Sequence, residues 1–139
     1  MKEAEQLRKA GLRATPTRGR ILRALIRAEQ PLSAEQLLRH LQTSARKEFD
    51  LVTIYRNLAA FTEAGLAGAV DLGTGKTLYE YMGRHRHHHH HVVCRVCETI
   101  EHVDVCGIGS QLKKLARMGY TQLSHRLEFF GTCRRCAAG

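Results

Sequence analysis

His85-Arg-His-His-His-His-His-Val-Val-Cys-Arg-Val-Cys97 is the stretch that divides this chain. It holds six of the nine histidines and two of the five cysteines, and a second Cys-x-x-Cys, Cys133 to Cys136, follows after 35 intervening residues. Cys94, Cys97, Cys133 and Cys136 offer four soft thiolates, the number and donor type that a closed tetrahedral zinc site takes. Met1-Lys-Glu-Ala-Glu is charged and no apolar leader follows it, so the expectation is a cytoplasmic protein. In a reducing compartment paired cysteines point to metal rather than to disulfides.

Forward of this stretch the pattern is of short strands around one helix. Val92-Val-Cys94 and Thr99–Val103 read as strands, Ile108, Leu112, Leu115 and Met118 mark a helix face, and Tyr120–Phe130 reads as a longer strand. So small a unit needs a staple such as a metal, and its open strand edges suggest self-association into a homodimer. Cys106 is left over as a lone thiol. Within the histidine run, an extended backbone turns alternate side chains to opposite sides. His89 and His91 then face one site while His88 and His90 face another. Glu80, Glu101 and Asp104 are nearby acids, and two histidines with two carboxylates suit Fe(II), Mn(II) or Zn(II). Such a site lacks thiolates and exchanges its metal more readily than four cysteines do.

Backward of the stretch the chain is helical. Residues 2–10 form a short polar helix stopping at Gly11. Thr15-Pro16-Thr17 opens a second, with Ile21, Leu22, Leu25 and Ile26 on one face and Arg18, Arg20, Arg23 and Arg27 on the other. Ser33-Ala-Glu-Gln36 has the form of a capping box for a helix reaching Leu41. Thr43–Glu48 reads as a loop. Asp50 caps the next helix, where Leu51, Ile54, Leu58 and Phe61 make a buried stripe ended by Gly65. Its opposite face presents Thr53, Tyr55, Arg56 and Asn57, types that reach base edges and phosphates from a major groove. Leu66–Leu72 and Lys76–Met82 are two strands joined by Gly73-Thr-Gly-Lys76. Three main helices followed by a hairpin make a winged helix-turn-helix. The fold class is therefore α+β: an N-terminal winged helix-turn-helix over residues 1–83, then a small α/β dimerisation domain over residues 84–139.

Charge agrees with an anionic partner. Lys and Arg number 22 against 13 Asp and Glu, a formal +9, spread as 12 against 7 in residues 1–70 and 10 against 6 thereafter. Double-stranded DNA fits that balance and the helix order together. No apolar run approaches the ~18 residues that span a bilayer, so no membrane partner is expected.

Over nearly its whole length the chain resembles the ferric uptake regulator superfamily. The matching stretches are Leu12-Arg-Ala-Thr-Pro-Thr-Arg-Gly-Arg20, Ser33-Ala-Glu-Gln-Leu37, Thr53-Ile-Tyr-Arg-Asn-Leu58, Ala64-Gly-Leu66, Tyr79-Glu-Tyr81, the histidine run into Cys94-Arg-Val-Cys97, His125-Arg-Leu-Glu128 and Cys133-Arg-Arg-Cys136. The resemblance implies a dimeric, metal-dependent repressor that binds operator DNA and is not an enzyme. It puts Tyr55 and Arg56 at DNA, with Arg18, Thr53 and Asn57 as further candidates from the residue reading. It puts structural Zn(II) on the paired cysteines, and a regulatory metal on Glu80, His89, His91 and Glu101, the last after a one-residue deletion following Cys97. His88, His90 and His125 resemble part of an additional site.

The chain also departs from the family pattern. A histidine common before the Ser-Ala-Glu helix is replaced by Gln30 or Pro31, Val105–Gly109 offers no acid to complete the additional site, and His85 and His102 are extra. Glu80 stands where zinc-sensing relatives often carry cysteine and peroxide-sensing ones aspartate, which favours Fe(II) as the sensed ion. The alternative is a zinc-sensing uptake regulator, with Mn(II) a further candidate ion. A storage or delivery protein would leave the winged half without a purpose. A zinc hydrolase would need a nucleophile constellation or His-Glu-x-x-His, and neither is present.

Overall fold

The computed structural model describes residues 2–42, 49–73, 75–83, 90–103, 107–125 and 127–139. The expected loop at Thr43–Glu48, the histidines from His85 to His89, Asp104 and Cys106 lie outside the described residues. The chain divides into two compact units, Met1–Arg86 and His87–Gly139.

The first unit is built on helices α1 (Lys2–Lys9), α2 (Pro16–Arg27), α3 (Ala34–Leu41) and α4 (Leu51–Glu63). Each start follows from its sequence. The Thr15 side chain accepts from the Arg18 amide ahead of Pro16, Ser33 and Gln36 close a reciprocal capping box, and Asp50 accepts from the Thr53 amide at 2.7 Å. Gly65, at φ +79, supplies the left-handed residue that stops α4. The inward stripes then meet: Leu7, Ile21, Leu22, Leu25, Leu37, Ile54, Leu58 and Phe61 are all essentially inaccessible to solvent. Each such aliphatic or aromatic side chain contributes roughly 1.5–3 kcal/mol through burial.

The wing forms as expected but has three strands. β2 (Ala67–Asp71) and β3 (Thr77–Tyr81) pair antiparallel, and a short β1 (Leu32–Ser33) joins the other edge of β3. In sequence Ser33 has the pattern of a helix cap, and in the fold it also belongs to a strand edge. It is both, its backbone pairing with Leu78 while its hydroxyl caps α3.

In the second unit β4 (His90–Cys94) is the central strand, antiparallel to β5 (Ile100–Val103) and parallel to β6 (Glu128–Gly131). Helix α5 (Gly109–Arg117) carries the chain across from β5 to β6, and α6 (Arg134–Ala138) ends it. The expected strand over Tyr120–Phe130 is corrected here. Among the described residues of this segment only Glu128–Gly131 is paired as a strand, and Gln122 sits at φ +52, which interrupts an extended run.

Candidate metal centres and DNA-facing helix

The two Cys-x-x-Cys pairs meet because of strand register. Cys94 ends β4, and the turn from Arg95 to Glu98, with Glu98 at φ +62, returns the chain into β5. The parallel pairing of β4 with β6 sets Cys94 opposite Gly131, two residues before Cys133, and the Arg95 amide donates to Gly131 at 2.8 Å. All four sulfurs lie within 4.8 Å of one another, and those of Cys97 and Cys133 are 3.7 Å apart. That spacing is far from a disulfide bond, and all four cysteines are free. It matches the roughly 3.8 Å edge of a tetrahedron with zinc–sulfur bonds of ~2.3 Å.

Electrostatics agree with a cation at the centre. The Cys94 sulfur accepts from the amides of Cys97, Cys133 and Val96, which lowers its thiol to about 6. Thr99 holds Cys97 below the ordinary thiol value from 3.1 Å. Cys136 is pushed up to about 12, chiefly by its hydrogen bond to Cys133 and by burial. A cluster that ionises one thiol so easily and another so reluctantly needs a positive centre to hold four thiolates. These residues form the structural zinc site. Arg135, from within the second pair, hydrogen-bonds Cys97 and Cys133 and partly offsets their charge.

The upstream end of β4 carries a different donor set. His90 and His91 are both buried, 4% and 5% exposed, and their neighbours differ as alternation requires. His90 Nε2 lies 3.3 Å from His125 Nε2, on one side. The His91 and His102 rings meet edge to face at 5.0 Å between centroids, with a nitrogen of each within 4.8 Å of the other. His90 and His125 are thus brought together as the resemblance implied, whereas His88 and His89 lie outside the described residues.

Glu101 is not brought to His91. The register pairs His91 with His102 and Val92 with Glu101, so Glu101 falls on the opposite face. The next residue, His102, stands opposite His91. Cross-strand register was the missing signal, and a sequence without an observed turn does not supply it. Glu80 stands on β3 of the first unit.

On α4 the expected face is outward. Tyr55 is 43% exposed and Arg56 is exposed, while Thr53 and Asn57 are half-buried. Tyr55 donates to Glu35 at 3.1 Å, which fixes its ring against α3. Arg18 and Asn57 bond each other at 3.1 Å, and Arg18 also donates to the Arg13 carbonyl. These contacts tie α2 to α4 and leave Tyr55 and Arg56 as the projecting pair.

A sequence profile described as the Ferric uptake regulator family matches residues 9–130. The chain belongs to that family. Over 141 aligned positions it is 31% identical to a ferric uptake regulation protein of Bordetella parapertussis, spanning 100% of this chain and 99% of that protein. It is 29% identical to the peroxide operon regulator of Bacillus subtilis, spanning 99% and 93%. The crystal structure of the Vibrio cholerae ferric uptake regulator matches with a TM-score of 0.77 at 31% identity, covering 94% of this chain and 98% of that one. Members of the ferric uptake regulator family are metal-responsive, dimeric, DNA-binding transcription regulators rather than enzymes. Iron-named and peroxide-named relatives match almost equally well, so likeness alone does not select the sensed ion. Among the described residues no helix is long and apolar enough to cross a membrane.

Proposed function

We propose that the chain is a metal-responsive transcriptional repressor, acting as a cytoplasmic homodimer on double-stranded operator DNA. One observation carries the reading: a buried histidine, His91, faces a second imidazole, His102, at the other end of the strand that leads into the four-cysteine site, in a chain that also carries a winged helix. The pair is a thiolate-free donor set, suited to an exchangeable first-row ion.

His89 and Glu80 are carried over as further ligands from the family resemblance alone. An ion taking ligands from both sides of Gly83 in sequence removes freedom from the intervening chain. Ordering it before DNA binds lowers the entropy cost of binding and raises affinity. His88, His90 and His125 are proposed as an additional, partial site. Tyr55 and Arg56 read the major groove, and Arg18, Thr53 and Asn57 support them at the backbone. Fe(II) and Zn(II) are the two candidate regulatory ions, with Mn(II) behind them.

Self-association has its own support. Leu115, Met118, Tyr120, Leu123, Phe129 and Phe130 are large apolar residues left exposed on the second unit, surface that a second copy would cover.

The test is operator binding at fixed salt by protein that keeps its cysteine-bound zinc but has lost exchangeable metal, titrated anaerobically with Fe(II), Mn(II) and Zn(II). Affinity should rise at least about tenfold, a coupling of ~1.4 kcal/mol. Unchanged affinity at saturating metal sinks the reading. Arg56→Ala should weaken specific binding by about 1–3 kcal/mol with metal content intact.

A further inference from the structure

We infer that His102, not Glu101, is the β5 ligand of the exchangeable ion, and that this imidazole turns the site towards zinc-class ions and away from manganese. The inference rests on the proposed regulatory site at His91.

Residues directly opposite in an antiparallel pair point to the same face, and their neighbours to the other. His91 is opposite His102, and Val92 is opposite Glu101. The ring contact at 5.0 Å places the two imidazoles together. Glu101 instead lines a cleft of about 520 Å³ with Val92, Cys94, Thr99 and Cys133, beside the thiolate zinc. Moving Glu101 to His91 would shift β5 by one residue and turn every side chain of that strand over.

Exchanging a carboxylate for an imidazole removes one hard oxygen and one negative charge from the donor set. The described pair, His91 and His102, thus contributes two imidazole nitrogens where a carboxylate would supply an oxygen. Nitrogen and oxygen sites bind Zn(II) above Mn(II) already, and imidazole favours zinc whereas carboxylate favours manganese. The replacement therefore widens the gap between the two ions.

The experiment is a competition titration of full-length, zinc-retaining protein against a fluorescent chelator, with Zn(II) and with Mn(II). It compares wild type, His102→Glu, His102→Ala and Glu101→Gln. His102→Glu should narrow the zinc-over-manganese preference by about tenfold or more, the scale that loss of even an outer partner produces. His102→Ala should weaken zinc comparably, and Glu101→Gln should leave both affinities as in wild type. The visible bands of bound Co(II) should shift in both His102 variants. Loss of exchangeable metal in Glu101→Gln, or an unchanged preference in His102→Glu, overturns the inference. Operator binding on the same samples separates the two readings. Metal preferences as stated with no response of DNA affinity would leave the His102 assignment standing and defeat the repressor. A DNA response with wild-type metal binding in the His102 variants would do the reverse.

Discussion

The two units solve the problem of stability differently. The first closes a core of thirteen buried residues drawn from all four helices and the wing. The second, among its described residues, buries only His90, His91, Val93 and Cys94, and α5 buries none. Histidine and cysteine side chains thus stand at the described centre of the second unit, where the first has leucine and phenylalanine. The first unit is held by apolar packing, and the second by its four-cysteine zinc site together with the self-association proposed above.

Removing the staple tests that contrast most severely. Cys94→Ser should abolish zinc retention and unfold the second unit, because zinc binding to such small sites supplies on the order of 10 kcal/mol of folding free energy. Hydrogen exchange read unit by unit should then lose protection over His90–Gly131 while α2–α4 stay protected. Retained protection in both units would break the contrast. Acid should act in the same direction. The Cys94 thiol is depressed to about 6, so its thiolate is present above that pH and is protonated as pH falls through it. Zinc itself competes with the proton, so zinc release should begin only below about pH 6, as a zinc-responsive dye would record.

The converse experiment digs into the apolar unit. Phe61→Ala should cost about 3–5 kcal/mol of the first unit's stability through lost burial and the cavity left behind. Zinc content should not change. A fall in zinc content with this variant would mean that the two units fold as one.

Legibility followed the same division. Local rules act within a turn or two of the chain, so the caps at Thr15, Ser33 and Asp50, the α4 stripe and the Gly65 stop were readable in order. The four-cysteine site was readable too, because the chemistry of zinc demands those donors wherever the chain brings them. What depended on register was not. Glu101 and His102 are adjacent in sequence and opposite in space, and only the turn after Cys97 decides which one meets His91. The segment after Tyr120 misled for a similar reason: its residues suit a strand, but pairing is supplied by a partner, and β4 offers one only from Glu128 onward. Arg135 and Thr99 lay beyond reach because their role is to contact thiolates that become neighbours only on folding.

A smaller effect should come from the capping box. Ser33→Ala removes the acceptor of the Gln36 amide, and about 1 kcal/mol of stability should go with it. Because Ser33 also lies in β1, the variant discriminates between its two roles. Pairing through the backbone survives the substitution, so exchange at Leu78 and Tyr79 should be unaffected while α3 frays. Equal loss in both would show that the wing edge depends on the cap.

The smallest expected effect concerns a charged contact that fastens α1, the pair of Arg23 and Glu3. Arg23 donates through two nitrogens to Glu3 at 3.2 and 3.3 Å, and this holds the Glu3 carboxyl at about 2 instead of 4.5. A depressed carboxyl contributes its stability above the ordinary value and loses it as pH falls towards the depressed one. Thermal melts of wild type and Glu3→Gln should therefore differ most above pH 4.5 and converge as pH approaches 2. The Arg23 side chain is about half exposed, so salt should shrink the gap at every pH. Leu7, wholly buried beneath α1, keeps that helix attached in either variant. A gap independent of pH would assign the effect of Glu3 to helix propensity, and α1 would then be fastened, like the rest of the first unit, by apolar packing alone.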